Sequence, residues 1–247
     1  MNFTILRFDS IDSTNTEALK HARQGADEGL CIIARQQTAG RGRHGRVWVS
    51  PKDAGLYFSI ILRPKINPRY LPLITLTSGV VVHDTLTEIG LKPDIKWPND
   101  ILVKEKKICG ILAEMTDTQK GPAIVVGIGI NLTSRNFPSE FSDTATSIEA
   151  EKKQPLPVSE LETLLVKYFG YFYEILNETR GPETMLAEWE RRSTYSHGKK
   201  VRITLENESI VGVTHGLAMN GALQVQKDGG SIVNIQAGDV EKLRSDE

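Results

Sequence analysis

The run Gly40-Arg-Gly-Arg-His-Gly-Arg46 interleaves three arginines with glycines in a stretch bounded by Gln36 and Pro51. Glycine lets the backbone approach a ligand closely, and guanidinium groups fork bidentately onto carboxylate or phosphate, so the natural ligand of this run is an anion. The run satisfies G-x-G-x-x-G and, with Val47, the kinase-type extension, yet both nucleotide readings fail on context. A dinucleotide fingerprint needs a helix opening at the third glycine and an acidic residue about twenty positions on, whereas Arg46-Val-Trp-Val-Ser-Pro51 reads as a strand ending at a proline. No V-A-I-K, H-R-D, D-F-G or P-loop signature is present. A basic surface loop that touches RNA is the alternative at this point.

Two further segments carry polar groups at telling spacings. In Lys96-Trp-Pro-Asn-Asp100 the proline fixes a turn, which holds Asn99 and Asp100 at a strand end where side chains can point into a cleft. Lys107 begins the next strand and could meet the same anion as the arginines. The competing description is a plain hairpin, with Asp100 in its turn and Lys104, Lys106 and Lys107 as a solvated edge. Gly127-Ile-Gly-Ile-Asn131 puts two glycines and an asparagine on one side of an apolar strand. Glycine there clears space for a ligand, or else marks a bulge or tight sheet packing.

The elements that must position these groups follow from periodicity. A strand opens the chain around Phe3 to Phe8, and Thr14-x-x-Glu17 reads as a capping box starting a helix through Ala18, Leu19 and Ala22. Leu30 to Arg35 and Leu56 to Leu62 are β-rich runs that flank the arginine loop. A helix spans roughly 70 to 90, stopped by Gly90 and Pro93. Three strands are expected next, around Ile95 and Trp97, over Lys107 to Met115, and over Ile124 to Leu132, giving an antiparallel or mixed sheet. Ser159-x-x-Glu162 is a second capping box ahead of a helix with a broad apolar face. After Trp189 the pattern changes to five short strands near Val201 to Leu205, Ile210 to Val213, Leu223 to Gln226, Ile232 to Ile235 and Val240 to Leu243, which suits a small β-barrel.

Composition bounds what such a chain can be. Its 247 residues are 39% hydrophobic and 25% charged, ordinary globular values that exclude a collagen, a coiled coil or a disordered tail. A formal net charge of -1 offers no global field for nucleic acid or anionic lipid. Cys31 and Cys109 form no C-x-x-C pair, which argues for a reducing compartment, the cytoplasm by default, and against a zinc site. No stretch is long and apolar enough for a signal or membrane anchor, so no membrane partner is expected.

In their order along the chain, Ser13-Thr-Asn15, Gln37, Gly40-Arg-Gly-Arg-His-Gly-Arg46, Lys96-Trp-Pro-Asn-Asp100, Lys107, Gly110-Ile-Leu-Ala-Glu114 and Gly127-Ile-Gly-Ile-Asn131 resemble the biotin protein ligases. Each motif alone is weak, but five in this order over nearly the whole chain are specific. The resemblance implies an α/β (α+β) fold: a mixed-sheet catalytic domain of the class II synthetase and biotin–lipoate ligase type over residues 1–194, then an SH3-like β-barrel over 195–247. It implies activation of biotin with ATP and Mg²⁺ to biotinyl-5'-AMP, and transfer to a lysine of a biotin carboxyl carrier protein or domain. No dedicated protein metal site is implied.

By the same resemblance, Ser13, Thr14, Asn15 and Gln37 line the biotin pocket. Arg41, Gly42 and Arg43 hold carboxylate and phosphate, with Gly40 and Gly110 in the same binding set. Trp48 packs on the adenine side, Lys107 meets the reacting carboxylate and α-phosphate, Asn131 meets the adenylate end, and Asp100 guides or receives the acceptor amine. Arg43, Lys107 and Asp100 thus form the expected catalytic set. Half of the significance of Thr14 is assigned to helix capping. The S-T-N motif begins at residue 13, so the winged helix-turn-helix of repressor members has no space ahead of it and no DNA partner is expected. A homodimer is left open. A lipoate or octanoate ligase and a non-catalytic nucleotide- or RNA-binding module are the alternative functions.

Overall fold

In a computed structural model of the chain, residues 1–135, 137–205 and 208–242 are described. Seven strands form one sheet in the order β1 (Thr4–Phe8), β2 (Leu30–Ala34), β3 (Gly55–Leu62), β7 (Ala123–Asn131), β6 (Lys106–Thr116), β5 (Asp100–Val103) and β4 (Pro93–Lys96). Only β1 and β2 run parallel, and helix α1 (Thr14–Arg23) makes the crossover between them; every other pairing is antiparallel. The mixed sheet expected from sequence is therefore present, with β5 as an additional strand. Two sequence features hid β5: it has four residues, and its partner β6 begins after a tight turn through Lys104 and Glu105, both in the left-handed region at φ 51° and 65°. Glycine and asparagine signal such turns, lysine and glutamate do not.

Helices cover both faces. On one, Ala18, Leu19 and Ala22 of α1 meet Ile32, Ile61, Ala123 and Val125. On the other lie α2 (Leu73–Glu88), α4 (Val158–Leu176) and α5 (Gly181–Arg192), with the short helix α3 (Ile148–Lys152) between β7 and α4. Every residue of β3 is buried, Ser59 among its apolar neighbours, as expected of a strand covered on both sides. The helix expected over roughly 70 to 90 is α2, and Gly90 ends it at φ 87°.

Two capping assignments are corrected. Ser13, not Thr14, caps α1, its hydroxyl accepting from the Thr16 amide, so Thr14 is free for other partners. Helix α4 starts behind Pro157 without a side-chain cap, and Glu162 instead takes an ion pair from Arg7 at 2.6 Å. Residues 46–51 form no strand either. The chain turns back on itself there, with Gly42 N donating to Arg46 O and Trp48 N donating to Gly40 O at 2.7 and 3.0 Å.

The C-terminal strands β8 (His197–Thr204), β9 (Ser209–Leu217), β10 (Leu223–Gln226), β11 (Ile232–Ile235) and β12 (Asp239–Lys242) make a second, antiparallel sheet in the order β11-β10-β9-β8-β12. Leu243, where the last of the five expected strands ends, lies outside the described residues. The small sheet is tied to the large one by buried polar contacts. Trp97 Nε1 donates to Gly221 O in the β9–β10 turn at 3.0 Å, and in the link from α5 to β8 Ser193 Oγ donates to Ile95 O at 2.6 Å.

Asp84 of α2 accepts both Arg192 Nε and Nη2 of α5 at 2.6 and 2.7 Å and also faces His83. Burial would raise this carboxyl, but His83 and Arg192 outweigh it and hold the group at about 2. Its folded pKa is depressed, so the stabilisation is present above the unfolded value of 3.8 and is lost as pH falls toward about 2. A difference of nearly two units corresponds to roughly 2–3 kcal/mol. Urea titrations between pH 5 and pH 2 should therefore show a steeper loss of stability for the native chain than for Asp84→Asn; equal slopes would remove Asp84 from this role.

Candidate active site

A cavity of about 920 Å³ opens on the α1 face of the large sheet, beyond the N-terminus of that helix. Ser13, Thr14, Asn15, Gln37, Arg41, Gly42, Arg43, Trp48, Asp100, Lys107, Gly110 and Asn131 all line it. Of the residues expected at the site, Gly40 alone lies outside the lining. Its missing Cβ would sit 2.3 Å from Trp48 O and 2.7 Å from Ser50 Oγ, so glycine is needed there for the loop to turn.

The start of α1 feeds a chain of buried hydrogen bonds. Thr14 donates through both its amide and its hydroxyl to Gln37 Oε1 at 2.8 and 3.1 Å. Gln37 Nε2 donates to Ser50 Oγ, and Ser50 Oγ donates to Trp48 O. On the other side, Asn15 Nδ2 donates to Glu114 Oε2 at 2.8 Å and to Leu112 O at 3.2 Å. The hydroxyl of the buried Ser59 lies 2.6 Å from Asn15 Oδ1 and 2.8 Å from Thr14 Oγ1, which ties β3 into the same network behind this end of the cavity.

The arginines of the loop reach three different walls. Arg41 Nη1 and Nη2 fork onto Glu114 of β6 at 2.9 and 2.8 Å. Arg43 Nη1 donates to Asn99 Oδ1 in the β4–β5 turn at 2.9 Å, and Arg46 pairs with Asp239 of β12. Burial pulls the Arg43 guanidinium below its ordinary pKa while the Asp239 and Asp100 carboxylates pull it back. Lys107 Nζ sits 2.6 Å from Asp100 Oδ1 and 5.4 Å from the centre of a Trp48 ring, a cation–π distance. Asn131 donates its amide to Thr146 O at 3.0 Å, which fastens the segment after β7 along the start of β6.

The comparisons with known proteins bear on this geometry. Residues 7–131 match the Biotin/lipoate A/B protein ligase family, and residues 196–243 match the Biotin protein ligase C terminal domain. The chain belongs to the biotin protein ligases. It is 34% identical to the bifunctional ligase/repressor BirA of Bacillus spizizenii over 238 residues, 94% of this chain and 72% of that protein. Its identity to the biotin–[acetyl-CoA-carboxylase] ligase of Mycobacterium tuberculosis is 31%, covering 94% of this chain and 86% of that one. Among solved structures, the biotin protein ligase of Aquifex aeolicus in complex with biotin and ATP superposes with a TM-score of 0.84 at 30% identity, over 98% of this chain and 99% of that chain.

Within this ligase the strand glycines clear space for protein side chains rather than directly for a ligand. A Cβ on Gly127 would lie 2.1 Å from Asn15 Oδ1, and one on Gly129 would lie 2.5 Å from the Trp48 indole. Gly110 and Gly129 are cross-strand partners, and Asp100 and Tyr57 extend the same row on either side. The indole of Trp48 lies against that Cβ-free strip, with Nε1 buried and without a hydrogen-bond partner.

Sequence reading did not assign roles to Glu114, Asn99, Ser59 or the β12 residues Asp239, Glu241 and Lys242, which also border or support the cavity. Glu114 was within reach, since it shares a strand face with Gly110. Asp239 was not, because nothing local ties a residue of the second sheet to the arginine loop. Adding a methyl at Gly129 should displace Trp48, at an overpacking cost of roughly 1–3 kcal/mol. The double variant Gly129→Ala/Trp48→Ala should cost less in urea unfolding than the sum of the two single variants; strict additivity would show that the two sites do not press on each other.

Proposed function

We propose that this chain adenylates biotin with ATP and transfers the acyl group to a lysine of a biotin carboxyl carrier protein or domain. The observation that carries this reading is one cavity joining two unlike halves. One half is an amide and hydroxyl pocket at Ser13, Thr14, Asn15 and Gln37, backed by the buried Ser59; the other is the cluster of Arg41, Arg43 and Lys107. Amide and hydroxyl groups there suit a ligand with a polar hydrogen-bonding ring, as the cyclic urea of biotin is and the dithiolane of lipoate is not.

In the first step a carboxylate oxygen of biotin attacks the α-phosphorus of ATP, and the bond to pyrophosphate breaks. Negative charge gathers on the phosphorus substituents, where Arg41, Arg43 and Lys107 act as preorganised cations. Donors of this kind are worth roughly 2.7–4 kcal/mol each in the barrier. Among the described residues no group of three or more His, Cys, Asp or Glu side chains could hold a metal ion. Magnesium prefers substrate phosphates plus one or two carboxylates, and Asp239 and Glu241 offer such oxygens along this cavity. When bound, Mg²⁺ offsets phosphate charge.

In the second step the acceptor amine attacks the acyl carbon of the mixed anhydride and AMP leaves. The amine, with a free pKa of about 10.4, must first lose a proton. We assign that proton to Asp100, whose carboxylate faces the cavity beside Lys107. Trp48 flanks the adenine side and Asn131 the adenylate end. Residues 1–194 are the catalytic unit and 195–247 the SH3-like unit, and the buried, unpaired Cys31 and Cys109 suit a cytoplasmic enzyme.

Pyrophosphate exchange into ATP should depend on biotin; exchange driven by lipoate or octanoate instead would move the chain to the lipoate ligases, and none with any acid would favour a binding module. In Asp100→Asn, transfer to a carrier domain should slow by roughly 10²-fold or more while adenylate formation falls much less. Normal rates for both steps would sink the assignment of Asp100.

A further inference from the structure

Arg41 spends both terminal nitrogens on one carboxylate, that of Glu114, in the end-on geometry that an arginine uses to grip a substrate carboxylate or phosphate. The same two nitrogens cannot fork onto a second anion at once. Glu114 stands on β6 of the rigid sheet and is itself oriented by Asn15 Nδ2 at 2.8 Å, so the carboxylate has a fixed place. The pair is open to solvent, the Arg41 side chain 40% exposed and that of Glu114 25%, which makes it weak and exchangeable. The other two arginines of the loop are held differently. Arg43 bonds a neutral amide and Arg46 a carboxylate on the second sheet.

We propose that Glu114 is a resident counter-anion for Arg41: it holds the arginine loop against the sheet and surrenders Arg41 to the incoming acid or adenylate. Glu114 is then a positioning residue that acts through Arg41, and through Asn15 it couples the loop to the pocket at the start of α1. The inference rests on the assignment of Arg41 as an anion-binding residue made above. An alternative geometry, in which Glu114 keeps Arg41 throughout and serves as a permanent anchor, makes opposite predictions.

Glu114→Gln removes the charge and keeps an oxygen for Asn15. Without ligand, trypsin should cut this variant after Arg41 several-fold faster than the native chain, and with biotin and ATP present the two should be cut equally. The KM for biotin in pyrophosphate exchange should fall several-fold with little change in kcat, because Arg41 no longer has to leave a competitor. Glu114→Asp, which restores the charge, should return both readouts toward native values. On the native chain, raising ionic strength should accelerate cleavage after Arg41 relative to cleavage elsewhere, and this arm needs no variant to fold. A raised KM together with faster cleavage in the ligated variant would make Glu114 a permanent anchor and overturn the proposal. Unchanged cleavage of the unligated variant, or no salt effect, would also overturn it. Absence of biotin-dependent exchange in the native chain would instead strike the functional reading, leaving the proteolysis result to speak for the Glu114 pair.

Discussion

The site depends on a run of hydrogen bonds that begins at Trp48 O and passes through Ser50, Gln37, Thr14, Ser59, Asn15 and Glu114 to Arg41. Most of these groups are out of water, where an unmade hydrogen bond costs about 1–3 kcal/mol, so each side chain has little choice of rotamer. The run starts and ends on the arginine loop, and its middle is the first turn of α1 and the centre of β3. A loop of this length and glycine content would otherwise sample many conformations. Here its two ends are fixed by a network that the sheet makes rigid.

The network needs backbone close to backbone, and that requirement explains the glycines of β6 and β7. In an ordinary sheet a Cβ at 110, 127 or 129 would keep α1 and Trp48 away. Without them, Asn15 reaches across to β6 and the indole rests on the strands. The same row of the sheet then presents Asp100 and, beside it, Lys107, so the acid-binding half and the cationic half are set at a fixed separation by strand spacing alone.

Much of this was legible in the sequence. Alternation on β7 put Gly127, Gly129 and Asn131 on one face, the glycine–arginine run announced an anion, and α2 and the five C-terminal strands followed from periodicity and turn residues. What escaped was whatever depends on distant pairing. Thr14 looked like a helix cap because Glu17 stands at capping-box spacing, but Ser13 takes that place and Thr14 turns to Gln37. Residues 46–51 alternate like a strand, yet the glycines fold the chain back before it can pair with one. Strand β5 was masked by a turn made of residues that rarely adopt left-handed backbone. The destinations of Arg41, Arg43 and Arg46 are set by tertiary structure, and no local rule assigns them.

The partner of Arg46 lies 193 positions further along the chain, on the last described strand. That strand pairs with β8, the first of the small sheet, so Asp239 reaches the cavity only when the second sheet has closed its own order. During synthesis on a ribosome, the large sheet can assemble well before residue 239 leaves the exit tunnel. For that interval the cavity has its floor and its arginines but lacks one wall, and the loop has two of its three moorings. The finished site thus waits on the second sheet, and removal of β12 would take away part of it while sparing the core of the larger sheet.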